Sequence, residues 1–374
     1  MKQQQYLFKK SSIPIISFML FVVYLFPKNI AYYTIPVLFA IIFIFDYKNI
    51  IRNIGIKTIF ITPLFLSLLH SIVVTGTQDI IRYLPIILMI LLCRYKGISF
   101  KYVTFITIVI TVILISTQIA IALDMSVVTE LRNYLYPIEK DIWAVGVSEL
   151  NLEFNRSKRY GSIYYNPNVL GQMLVFSYLF ILLSDLKLPI KFLLSSFILM
   201  SLLLTGSRTA IIIYFISTII FYFYNSNIKR KYIVKTIVIV FSFTSLFIAG
   251  VMVESIMQGV TDPAGSLYIK TYILIDYFDN ISGVASILLG SGATNIQFDS
   301  DIGNIIANFG LLSFISIVAF IMYLYYKTEK QLRYVFTIFL FMFSNTLIYN
   351  LQSSIVLLTL LMVLSYKTRN NFGS

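Results

Sequence analysis

Two arginines stand beside the predicted starts of apolar helices. Arg159 precedes a helix that Asn166 should cap, with Pro167 as its first residue, and Ser207 should cap another helix whose first turn holds Arg208. A helix N-terminus carries N–H groups without intrahelical partners and a partial positive charge, and arginine adds a planar fork of donors. These residue types at this spacing predict an anion-binding site.

The same arrangement recurs twice. Arg82 lies in the first turn of a helix that Asp79 should cap, and Asp301 should cap a fourth helix, with Asp299 just before it. Snorkelling to lipid headgroups is an equally good explanation of Arg82 alone. Asp301 could cap its helix or accept a proton from a substrate hydroxyl, and the sequence leaves both roles open.

The composition is that of a polytopic α-helical membrane protein. Of 374 residues, 58% are hydrophobic and 12% are charged, and the mean hydropathy is +0.86. The formal net charge of +13 is explained by basic cytoplasmic loops rather than by nucleic-acid binding. Because His70 and Cys93 are each the single residue of their type, an intrachain disulfide and a Cys/His metal site are excluded.

Apolar segments bounded by charged or turn residues predict an all-α bundle of about twelve spans within one integral membrane domain, residues 1–374. Most of the 29 basic residues fall in alternate connections, which predicts that both termini are cytoplasmic. The long connections 124–165 and 254–302 are then external. The predicted spans lie near 12–27, 30–45, 58–75, 80–93, 101–123, 166–184, 188–205, 208–224, 234–253, 303–326, 333–349 and 352–366.

Three stretches resemble the successive motifs of Wzy-type O-antigen and capsular-polysaccharide polymerases, whose close relatives are the O-antigen ligases. They read RYGSIYYNPNVLGQ, LLLTGSRTAIIIYF and LLGSGATNIQFDSDIGNIIANFGLLSFI. The resemblance covers about residues 156–312, while residues 1–120 match only in hydropathy. It implies a metal-independent glycosyltransferase without a cofactor, which transfers a polyprenyl-pyrophosphate-linked glycan to another lipid-linked unit outside the cytoplasmic membrane.

The resemblance also implies functional residues. Those that match the motifs are Arg159, Gly161, Asn166, Asn168 and Gly171, then Ser207 and Arg208, then Gly290, Gly292, Asp301, Asn304 and Gly310. We expect catalytic roles for Arg159, Arg208 and Asp301. Substrate-binding roles are expected for Arg82, Asn166, Asn168, Ser207, Lys270 and Asp299. The ligases carry a histidine where this chain reads DSD, which favours a polymerase over a ligase.

The expected partners are a lipid-linked oligosaccharide donor and acceptor, membrane lipids, a chain-length regulator and a flippase, and no nucleic acid. The expected location is the bacterial cytoplasmic (inner) membrane. A ligase remains the alternative within the same class, and a lipid-linked oligosaccharide flippase or transporter is the alternative outside it. A flippase would be expected to have two pseudo-symmetric halves and short loops. This chain has unlike halves and two long loops on one side, which disfavours transport.

Overall fold

The computed structural model describes residues 55–75, 100–135, 160–225 except 165, 283–291, 301–343 except 329, and 356–361, together with isolated positions elsewhere. Within this part of the chain every regular element is helical. In a bilayer a helix pairs all of its backbone groups within one segment, which is why long apolar runs adopt it. The predicted all-α class is confirmed over these residues.

Eight α-helices and one 3₁₀ helix are described. Their bounds are Gly55–Thr75 (α1), Phe100–Ala122 (α2), Ser126–Leu135 (α3), Pro167–Leu183 (α4), Leu188–Thr205 (α5), Arg208–Asn225 (α6), Val284–Leu289 (α7), Asp301–Lys327 (α8) and Lys330–Phe343 (3₁₀). Four of them, α1, α2, α5 and α8, are long and apolar enough to cross a membrane. Membrane-spanning helices are thus confirmed, whereas the total of about twelve spans and the side on which the termini lie stay predictions.

The predicted spans 12–27, 30–45 and 234–253 lie outside the described residues, apart from single positions in the first two. The predicted spans 80–93, 333–349 and 352–366 are described only in part, and for the others the predicted bounds agree with the observed ones to within a few residues. Gly206 ends α5 in the left-handed conformation, with φ 59° and ψ 20°, and its N–H donates to the carbonyl of Leu203 at 3.1 Å. A glycine there permits the sharp turn that leads directly into α6.

Two compact units are distinguished by their internal contacts. The first comprises Met1–Gly55, Leu88–Tyr214 and Asn350–Ser374, and the second comprises Ile56–Ile87 and Phe215–Tyr349. In the first unit α4 packs against α5, and α2 packs against both. Every residue of α4 from Leu170 to Leu183 is buried, which is typical of an apolar helix enclosed by others.

In the second unit α7 packs against α8. Gly310 interrupts α8 with φ 80° and ψ 166°, so the predicted span 303–326 is a broken helix. Upstream, Gly283 has φ 92°, which ends any helix that approaches α7 from the N-terminal side.

Candidate functional site

The first motif begins α4 as predicted. Asn166 has extended backbone angles, φ −81° and ψ 110°, and its side-chain oxygen accepts the N–H of Asn168 at 2.9 Å. Pro167 is the first helical residue and offers no N–H. The N–H of Leu170 donates to the Asn166 carbonyl at 3.4 Å. Few of the N–H groups that a helix start usually presents are therefore left to bind an anion at α4.

The second motif begins α6 as predicted, with Arg208 as the first helical residue. Ser207 is buried, and its N–H donates to the Thr205 hydroxyl at 3.1 Å, whereas Arg208 is exposed. The bond from the N–H of Ile211 to the Ser207 carbonyl, 3.1 Å long, closes the first turn of the helix. The start of α6 carries the partial positive charge of a helix N-terminus, and Arg208 adds a full positive charge there.

Gly171 brings the two motifs together. A Cβ atom added at Gly171 would lie 2.9 Å from the Cβ of Ala210 and 3.0 Å from the Cβ of Ser207. The backbone of α4 therefore approaches the first turn of α6 more closely than any side chain would permit. Further along, the rings of Tyr178 and Tyr214 pack with centroids 4.2 Å apart and their planes tilted by 35°. Glycine at position 171 thus allows the first turn of α6, which Arg208 begins, to pack against α4 near its start.

The segment that leads into α4 is also held by other helices. The N–H of Tyr160 donates to the carbonyl of Leu204 in the last turn of α5 at 3.1 Å, and Ile163 and Tyr164 are buried. Arg159 precedes Tyr160 in the sequence and lies outside the described residues. Its predicted catalytic role therefore stays a prediction.

The third motif lies in the second unit, where two of its glycines are in contact. Gly290 and Gly310 have φ values of 87° and 80°. A Cβ atom at Gly310 would lie 2.3 Å from the Leu288 carbonyl oxygen, and one at Gly290 would lie 2.3 Å from the Asn308 carbonyl oxygen. Both positions require glycine, for conformation and for space. The end of α7 therefore packs directly on the break in α8.

The break in α8 leaves carbonyl groups without helical partners, and side chains pair with them. The Ala307 carbonyl accepts from the Ser291 N–H at 2.9 Å and from the hydroxyls of Ser291 and Tyr277 at 2.9 and 3.0 Å. The Ser67 hydroxyl lies 2.7 Å from the carbonyl oxygens of both Leu289 and Phe309. Burial raises the pKa of the Tyr277 phenol, partly offset by its bond to Ser291, so Tyr277 stays a neutral donor.

Asp301 is the first residue of α8 and is fully buried. It therefore lies one position inside the helix, rather than at the cap that the sequence predicts. A carboxylate in the first turn is stabilised by the positive end of the helix dipole. Its predicted proton-transfer role stays a prediction. The remaining predicted site residues, Arg82, Lys270 and Asp299, lie outside the described residues, as Arg159 does.

Where the chain is described, no three His, Cys, Asp or Glu side chains lie close enough together to share a metal ion. The metal independence expected from the sequence is a separate matter and stays a prediction. The polar residues that sequence reasoning missed lie inside apolar spans: Ser67, Gln118 and Ser201. The sequence could have indicated them by their polarity alone. A polar side chain within an apolar span costs free energy unless it has a hydrogen-bond partner, so each of them predicts such a partner.

A comparison with protein families supports one interpretation of the site. Residues 155–299 match the family described as "Putative O-antigen polymerase", while no curated protein matches the chain. The matched segment contains the starts of α4 and α6 with Gly171, Ser207 and Arg208, and it ends just before Asp301. Over these residues the multi-pass membrane protein is therefore similar to the Wzy-type O-antigen polymerases, as its motifs predicted.

Proposed function

We propose that this protein polymerises a surface polysaccharide, either O-antigen or capsule. It transfers a polyprenyl-pyrophosphate-linked glycan to another lipid-linked repeat unit on the outer face of the bacterial cytoplasmic membrane. The observation that carries the proposal is the contact of α4 with α6 at Gly171. This contact packs the first turn of α6, which begins with Arg208, against α4 near its start, and both lie within the segment that matches the polymerase family.

The chemistry is a substitution at the anomeric carbon of the donor. A hydroxyl of the acceptor sugar forms the new glycosidic bond, the bond to the pyrophosphate oxygen breaks, and polyprenyl pyrophosphate leaves with the electron pair. The hydroxyl proton passes to a base, for which Asp301 and Asp299 are the candidates. Negative charge develops on the leaving group, and preorganised donors aimed at that charge lower the barrier without a metal ion.

Arg208 is the residue best placed to stabilise the leaving group. It is exposed at the first position of α6, so its guanidinium can hold two phosphate oxygens while N–H groups of the helix start face the same charge. Arg159 supplies the second cation, and Arg82 and Lys270 extend the substrate contacts. Because the first turn of α4 already uses much of its N–H capacity, Asn166 and Asn168 act mainly by fixing where that helix begins.

Deletion of the gene followed by gel analysis of the surface glycan tests the reaction class. A polymerase predicts loss of long chains while single repeat units are still attached. Polymer that accumulates without attachment would indicate a ligase instead. Lipid-linked units retained on the cytoplasmic side would indicate a flippase.

Substitution of Arg208 tests the site. Arg208→Lys keeps the charge but loses the two-oxygen fork, and we expect a rate loss approaching about 10²-fold, with Arg208→Ala losing about 10²–10³-fold. Arg132→Ala in α3 is the matched control, because it removes an arginine from a helix outside the three motifs. Chain-length distributions at equal membrane abundance give the comparison. Normal polymer from Arg208→Lys would show that this arginine does not grip pyrophosphate.

A further inference from the structure

Gln118 is the one side-chain amide in the sequence of α2, and it is fully buried. Its Nε2 donates to the carbonyl oxygens of Tyr160 at 3.0 Å and Ser201 at 3.1 Å. Its Oε1 accepts the hydroxyl of Ser201. Both amide hydrogens and the amide oxygen are thus engaged, and they connect α2 with α5 and with the segment that leads into α4.

The segment that Gln118 holds is not helical, so its backbone groups need partners from elsewhere. Ser162 has a φ of 57°, which is unusual for a residue other than glycine. Its hydroxyl lies 2.8 Å from the carbonyl of Leu114 and 2.5 Å from the hydroxyl of Thr117, both in α2. Two successive residues of α2, Thr117 and Gln118, therefore fix this turn from one side.

The same amide acts on the two chain segments that lead to the candidate site. From Ser201 the chain runs through the last turn of α5 and Gly206 into Arg208. From Tyr160 it runs through Ser162 to the cap of α4. Gln118 therefore joins the two segments upstream of the starts of α4 and α6, beside the direct bond from the Tyr160 N–H to the Leu204 carbonyl.

We propose that Gln118 is a positioning residue for glycosyl transfer, acting through Arg208. Gln118 holds the segment that enters α4 against the end of α5. In this way it keeps the Arg208 guanidinium and the N-terminus of α6 at a fixed position relative to the start of α4. This inference rests on the proposed function. A displacement of about 1 Å at a reacting centre can cost about 10²-fold in rate, so a residue that never touches the substrate can control the reaction.

A double-mutant cycle tests the inference. Four purified proteins are compared in transfer from a lipid-linked repeat unit: the parent, Gln118→Leu, Arg208→Ala and the double variant. Gln118→Leu should lower kcat by about 10-fold to 10²-fold and change KM for the donor little, because misplacement acts on the transition state. In the Arg208→Ala background the same change should cost much less, because the group that it positions is absent.

Each outcome bears on a different claim. Equal losses from Gln118→Leu in both backgrounds would overturn the positioning role and leave Gln118 as general support for the fold. A near-parent rate for Arg208→Ala alone would overturn the proposed pyrophosphate grip, and the positioning role with it. A large but measurable rate loss from Arg208→Ala together with an additive cycle would overturn this inference alone.

Two further variants keep the test decisive if Gln118→Leu does not accumulate. Ser201→Ala removes the hydroxyl that donates to Gln118 but leaves both carbonyl acceptors, so it should give a smaller loss of kcat with the same non-additivity. Thr107→Val is the matched control, because Thr107 is buried in α2 and its hydroxyl donates to the carbonyl of Val103 within the same helix at 2.8 Å. It should leave kcat unchanged, and a loss equal to that of Ser201→Ala would overturn the specific role of Gln118.

Discussion

Replacement of Gly171 by alanine should push the starts of α4 and α6 apart. The added Cβ atom would lie 2.9 Å from the Cβ of Ala210 and 3.0 Å from that of Ser207. Carbon atoms in contact prefer separations of about 3.5–4.0 Å. Neither neighbouring atom is the end of a flexible side chain, so the helices themselves must move by several tenths of an ångström.

The two consequences of this movement differ in size. Overpacking of a tight contact costs about 1–3 kcal/mol, whereas a glycine-to-alanine change inside a helix returns about 0.5–1 kcal/mol through backbone entropy. The net loss of folding free energy should therefore lie between about 0 and 2.5 kcal/mol. The position of Arg208 relative to α4 changes at the same time, and a misplacement approaching 1 Å costs up to about 10²-fold in rate. Gly171→Ala should consequently lose far more activity than stability.

The assay is the rate of polymer formation at equal membrane abundance, with the thermal unfolding midpoint measured in parallel. Gly171→Ala combined with Ala210→Gly removes the shorter of the two contacts and should recover part of the rate. Gly55→Ala is the control, because an added Cβ there meets nothing within 4 Å. A parental rate from Gly171→Ala would refute the argument that close approach of α4 and α6 builds the site.

Three further predictions concern the third motif, the topology and the metal. Gly310→Ala and Gly290→Ala should each sharply lower the amount of folded protein in membranes. Each glycine has a positive φ, and an added Cβ would lie 2.3 Å from a backbone oxygen. Normal amounts of either variant would contradict the contact between the two glycines. A reporter active only outside should work in loops 124–165 and 254–302 and be silent at 229–235, and activity at 229–235 would overturn the outer-face assignment. Transfer by purified protein should survive EDTA, whereas a loss that Mg²⁺ restores would show a metal requirement.

The features that the sequence predicted best are local ones. Asn166 caps α4, Pro167 begins it, and Arg208 begins α6, because caps and first turns depend on residues a few positions apart. The bounds of α5 also agree with the predicted span, since Gly206 ends the helix by its own conformation. Asp301 was one position off, which is the ordinary precision of a helix end.

Features that depend on tertiary contact were not predictable in this way. An isolated glycine in an apolar span costs only about 1 kcal/mol, so the sequence around Gly310 is compatible with a continuous helix. Its break is explained by Gly290, twenty positions earlier, whose backbone occupies the space beside it. In the same way nothing near Gly171 indicates Ala210 as its neighbour. Both contacts are set by the packing of helices that are distant in sequence.

Three buried polar side chains, Gln118 and Ser67 in spans and Tyr277 in the loop 254–302, pair with irregular backbone. Gln118 bonds to the carbonyl of Tyr160 in an irregular turn, and Ser67 and Tyr277 bond to the carbonyls freed where α8 breaks. An unpaired backbone group in an apolar environment costs several kcal/mol, so each irregular segment needs a donor from another element. Gln118 and Ser67 therefore mark spans that face irregular backbone. In this chain that backbone belongs to the glycine-containing motifs, the first of which lies in one compact unit and the third in the other.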